Sequence, residues 1–110
     1  VEPVALSNQI TEAVYLKPQE NTSFVGYFGH LMGYDAGYYG YAWADSISAD
    51  MATVFENAPE RYFDREAGQR LRREIYEVGD SRDVNESIEK FLGRPRSLKP
   101  FLQDLGILDE

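Results

Sequence analysis

Three consecutive stretches of this chain open on a short polar residue, repeat apolar side chains at helical spacing and stop at a glycine. That punctuation constrains the fold more than any other feature. Asp64 opens the first, Ala67, Leu71, Ile75 and Val78 follow at i, i+4, i+8 and i+11, and Gly79 ends it. Asp83 opens the second, with Glu86 three residues on as in a capping box, then Val84, Ile88, Phe91 and Leu92 before Gly93. Ser97 opens the third, in which Leu98, Phe101, Leu102 and Leu105 form one stripe before Gly106.

Upstream, the pattern predicts a longer helix from Ala36 to about Ala58, with Asp35 as N-cap and Pro59 as stop. At about 100° per residue Tyr39, Trp43, Ile47, Met51 and Val54 share a broad apolar face, which assigns Tyr39 and Trp43 to the core. Tyr38 and Tyr41 fall on another face. Asp50 falls close to the apolar one, where a buried carboxylate requires a partner. Ala5 to Leu16 predicts a weaker first helix stopped by Pro18, and SFVGYF, from Ser23 to Phe28, reads as a short extended run. With no convincing strand pair, the expected fold is all-α, with four to five helices and a Gly/Tyr-rich loop before the longest.

A chain of 110 residues suits one domain, residues 1–110, with a single modest core. Nineteen acidic against eleven basic residues give a net charge of −8, which opposes nucleic acid and anionic lipid. The basic cluster of Arg70, Arg72 and Arg73 alternates with acids and reads as a solvated helix face. No apolar run reaches membrane length, and the first ten residues lack the regions of a signal peptide. The absence of cysteine is compatible with a reducing cytoplasm, the expected location. One histidine and no cysteine leave no nitrogen or sulfur ligand set, so no metal is expected on this chain. Because the chain opens on Val1, it reads as a piece of something longer.

The loop itself, residues 28–41, contains HLMGYDAGYYGY, with the chain's single histidine, His30. Tyr34, Tyr38 and Tyr41 lie off the apolar stripe, and their hydroxyls fit either packing or function. A phenol with a pKa of about 10 stays a hydrogen-bond donor at neutral pH and can stabilise an oxyanion on a substrate carbonyl. Flanking glycines would let such donors move when substrate arrives.

The string FGHLMGYDAGYYGYAWADSISADM, with FLGRPRSLKPFLQDLGI near the end, resembles the C-terminal part of the thimet-oligopeptidase family of zinc metallopeptidases. The resemblance runs from about Thr22 to Ile107. It implies the helical C-terminal, catalytic-domain fragment of a larger two-lobed enzyme that cuts short peptides, with zinc held upstream by H-E-x-x-H and a further Glu. Zinc is then a cofactor of the full-length enzyme, none is bound by this fragment, and the fragment is inactive alone. Carried over by position, Tyr41 matches the phenol implicated in oxyanion stabilisation. His30, Tyr34 and Tyr38 match substrate contacts, with Gly33 beside them. Many members have two glycines before the Tyr-Asp, whereas here Gly33 alone precedes Tyr34. The implied partners are short peptide substrates and the remainder of the parent peptidase, and apolar surface bared by separation favours self-association. A freestanding, non-catalytic helical module that grips peptides with the same loop is the alternative reading.

Overall fold

The computed structural model describes residues 1–109, and among them the regular structure is entirely helical. Seven α-helical segments occur, of which α1 (Pro3–Val14), α4 (Tyr39–Glu56), α5 (Arg65–Leu71) and α6 (Val84–Leu92) reach seven residues or more. The all-α expectation holds. The chain divides into two compact units, Val1–Tyr38 and a second from Tyr39 onward.

In the first unit, Glu2 caps α1 by accepting from the backbone N–H groups of Val4 at 3.1 Å and Ala5 at 2.6 Å, and Pro3 takes the first helical position. This helix packs against α2 (Phe24–Tyr27), which is followed by α3 (His30–Gly33). The segment expected to be extended is thus a helical turn. A lone strand would leave its backbone groups unpaired, whereas a helical turn satisfies them locally, as in the 2.9 Å bond from Gly26 N–H to the Ser23 carbonyl. None of these three helices buries a residue fully.

The second unit is built on α4, which packs against both α6 and α7 (Lys99–Asp104). Its core is Ile88, Phe91 and Leu92, against which Ile47, Met51, Val54, Phe55, Leu71 and Ile75 pack. Between α4 and α5 lies a 3₁₀ turn (Arg61–Phe63), and α5 runs on into a π-helical stretch (Arg72–Tyr76) that contacts α6. Two of the predicted caps, Asp64 and Asp83, are in place, whereas α7 has Leu98 and not Ser97 at its N-cap, although Ser97 Oγ accepts from Lys99 N–H at 3.1 Å. Asp64 accepts from Ala67 N–H at 2.9 Å, and Asp83 from Asn85 and Glu86 N–H at 2.9 and 3.2 Å. Glu86, however, turns outward to Lys90 at 2.7 Å, so the capping box is only half made. Gly79, Gly93 and Gly106 all take positive φ at the helix ends, where a Cβ would be strained.

Two expectations about α4 are corrected. It begins at Tyr39, and Asp35 lies in the preceding turn and does not cap it. Tyr39 and Trp43 are 72% and 58% exposed, so they are not core. The elements that pack on α4 in this unit cover its later turns, and the apolar stripe simply continues past them. Trp43 is instead flanked by the Arg96 guanidinium, 5.4 Å from the ring centre, a cation–π contact of about 0.5–1 kcal/mol at an exposed site.

Asp50, 1% exposed, has the partner its burial demands. Arg94 donates to both carboxylate oxygens, at 2.5 and 3.2 Å, and Ser97 N–H adds a third bond at 2.7 Å. The Asp50 hydrogen bond pushes the Arg94 guanidinium pKa above its usual range.

Candidate functional site

His30 opens α3, and its N-terminal position follows from the tight turn at Gly29, where Met32 N–H bonds the Gly29 carbonyl at 3.0 Å. One turn later Tyr34 N–H donates to the His30 carbonyl at 2.8 Å, which sets the two side chains on one side of the segment. The Tyr34 carbonyl then accepts from both Gly37 and Tyr38, at 3.1 and 3.0 Å, and this doubled turn brings Tyr38 back toward His30.

The rings converge accordingly. His30 lies 5.2 Å from Tyr34 in an edge-to-face arrangement and 5.0 Å from Tyr38 in a tilted one. Phe28 meets His30 and Tyr38 edge-on at 5.4 and 5.5 Å, and Phe24 lies tilted against Phe28 at 4.9 Å. Such pairs contribute about 0.5–1.5 kcal/mol each beyond area burial, so the cluster holds this segment in shape without a buried core. The structure therefore brings together three of the residues singled out from sequence: His30, Tyr34 and Tyr38. Tyr34 and Tyr38 are each 47% exposed, presenting part of each ring to solvent.

Tyr41 belongs to the second unit, in the first turn of α4, and is 52% exposed. Gly33 closes α3 with ordinary backbone angles, and a Cβ added there would meet nothing within 4 Å. None of the glycines in the loop has positive φ, so left-handed backbone is not why they are there.

Phe28 and Arg94 were not singled out from sequence, although each had a signal. Phe28 is two residues from His30, and Arg94 is the cation in the GRPRS segment available to a buried Asp50. Among the described residues no group of three histidines, cysteines or carboxylates is arranged to hold a metal ion, so the side chains here do not fit a zinc site. Nor is any helix among them long and apolar enough to cross a membrane.

Residues 3–107 match the model of Peptidase family M3. The chain is 36% identical over 104 residues to a thimet-like oligopeptidase of Dictyostelium discoideum, covering 93% of this chain and 15% of that protein. It is 36% identical over 105 residues to saccharolysin of Saccharomyces cerevisiae, covering 91% and 14%, and 40% identical over 82 residues to oligopeptidase A of Salmonella typhimurium, covering 73% and 12%. It thus spans 12% to 15% of the length of these relatives. No solved structure matches it significantly. The family match covers the ring cluster, α4 with its buried Asp50, and the arginine that partners it, and on that ground the chain belongs to peptidase family M3.

Proposed function

We propose that this chain is the C-terminal part of a zinc-dependent oligopeptidase that hydrolyses short peptides, acting in the cytoplasm and inactive when separated from the rest of the enzyme. The observation that carries the reading is the convergence of His30, Tyr34 and Tyr38 on one short segment inside the family match. Because the side chains here do not fit zinc, the metal chemistry belongs to residues outside these 110, and this chain's part is binding and positioning.

His30, Tyr34 and Tyr38 present imidazole and phenol groups that bond the backbone of an extended peptide. Gly33 carries no side chain, so backbone or ligand can approach α3 closely at that point. Tyr41 donates its neutral hydroxyl to the oxygen of the carbonyl under attack, where negative charge develops. Removing one such donor typically costs about 3 kcal/mol of transition-state stabilisation, on the order of a hundredfold in rate.

Tyr41→Phe in the longer enzyme is the test. It should lower kcat about a hundredfold while zinc content stays unchanged; an unaltered kcat removes Tyr41 from the mechanism. The sequence encoded before Val1 separates this reading from that of a freestanding peptide-binding module: an H-E-x-x-H there supports the enzyme, and a nearby start codon supports the module. The exposed α1 stripe of Leu6, Ile10 and Val14 supports self-association of the isolated chain, which light scattering reads directly.

A further inference from the structure

The chain exposes 8769 Å² of surface, more than two units of this size need. The surface of a folded chain grows as a fixed power of its mass, and even two separate compact bodies of these sizes would together expose about 7,400 Å². The excess, about 1,400 Å², is larger than the roughly 800 Å² that one partner gives up in a standard protein interface. In the second unit part of it is gathered in an open apolar groove of about 520 Å³. Ile47, Met51 and Phe55 of α4 line it, with Leu71, Ile75 and Ile88. Only Ile88 is buried, the other five are half-buried, and Val84 in the same lining is 64% exposed. Apolar side chains stabilise a fold when water is taken off them, so such a lining is unfinished until more polypeptide covers it.

Charge and covalent connection choose among the possible covers. A second depression, of about 410 Å³, shares Ser48, Ala52 and Tyr62 with the groove and is lined by the carboxylates of Asp45, Glu56 and Asp104. Among the described residues none of the three forms a salt bridge. Two copies set groove to groove would bring these carboxylates together on chains that each carry a net charge of −8, which disfavours a second copy. The elements that line the groove lie wholly inside the stretch matched by the family, residues 3–107, and the matched stretch makes up only 12% to 15% of the relatives. Most of each relative is therefore polypeptide joined to the counterpart of this face. A segment on the same chain meets its site at high effective concentration, whereas a separate protein has to be drawn from dilute solution.

We propose that in the longer enzyme this groove is an internal seam, in which the remainder of the same polypeptide lays apolar side chains on Ile47, Met51, Phe55, Leu71 and Ile75 and takes them out of water. The seam rests on the oligopeptidase reading for the longer polypeptide and on nothing in its catalysis.

The chain contains no cysteine, so single thiols can be set in the groove lining by Ser48→Cys on α4 and, separately, Val84→Cys on α6, with maleimide labelling located by peptide mapping. Both positions are exposed, so both thiols should label in the 110-residue chain as fast as they do in urea. In the purified longer protein the same thiols should label at least about tenfold more slowly at every protein concentration, because they react only when the seam opens, and urea should restore the fast rate. Two positions on different helices keep the measurement available if one variant fails to fold. Fast labelling in a longer protein that holds zinc and cleaves peptides overturns the seam and leaves the oligopeptidase reading standing. Slow labelling in a longer protein that neither holds zinc nor cleaves peptides keeps the seam and sinks that reading. Protection that fades on dilution as a dimer parts, read by light scattering, assigns the groove to a second copy and overturns the proposal. Protection that appears only when cell extract is added overturns it too, in favour of a separate protein.

Discussion

Arg94 grips Asp50 through both carboxylate oxygens across 44 residues of sequence, and so fixes the segment after α6 onto the middle of α4. Asp50 is essentially inaccessible while the Arg94 side chain is 41% exposed, so only one end of the pair is deeply desolvated. Arg94→Ala leaves that carboxylate with the Ser97 N–H alone. The expected loss is about 3–5 kcal/mol of unfolding free energy, measured by urea denaturation. Arg94→Lys should recover part of it, because an ammonium keeps the charge without the two-pronged geometry. A loss below about 1 kcal/mol for the alanine variant would mean the clasp is energetically idle.

Phe91 is 0% exposed and touches Phe55 at 6.2 Å between ring centres, with the Arg70 guanidinium 5.4 Å from its ring centre. Phe91→Ala opens a cavity at the centre of the second unit. A destabilisation of about 3–5 kcal/mol is expected, seen as a lowered urea midpoint, whereas Phe91→Leu should lose distinctly less.

Gly93 and Gly33 should respond in opposite ways to alanine. Gly93 sits at φ 73° after α6, where an L side chain costs about 1–2 kcal/mol. Gly33 has ordinary backbone angles and open space around it, so Gly33→Ala should leave stability within about 0.5 kcal/mol of the parent chain. Thermal melts of the two variants side by side check both expectations.

The Tyr62 phenol should titrate above 10.0, chiefly because its hydroxyl is hydrogen-bonded to Glu56. Glu56→Gln removes the negative acceptor and should shift the ultraviolet titration of Tyr62 downward. A group whose pKa is raised on folding stabilises the fold below its unfolded pKa and loses that contribution as pH rises through the folded value. The Glu56 pairing therefore supports the fold at neutral pH and fades only in strong alkali. A titration curve unmoved by Glu56→Gln would show that the bond is not kept in solution.

The helix ends were readable because their causes are local. Asp64, Asp83 and Gly93 act on backbone groups within a few residues, and each sits where its chemistry placed it. The ring cluster was half legible: the tyrosines drew notice by their density, but the doubled turn at Tyr34 that folds Tyr38 back on His30 is not written in any spacing rule. Trp43 and Tyr39 misled because periodicity tells which side chains share a face and says nothing about how far along the helix a neighbour covers it. The segment Phe24–Tyr27 misled because aromatic and β-branched residues favour strands only where a second strand exists to pair with.

Most glycines of the tyrosine segment cost the fold nothing if replaced, since an added Cβ at Gly29, Gly33 or Gly40 meets no neighbour and none has positive φ. Screens of expression yield or protease resistance will therefore be blind to these positions, while flagging Gly79, Gly93 and Gly106 at once. A variant catalogue for this chain sorted by abundance alone would file the loop as tolerant, and a ligand or turnover assay of the longer enzyme is what would decide whether those bare α-carbons are needed.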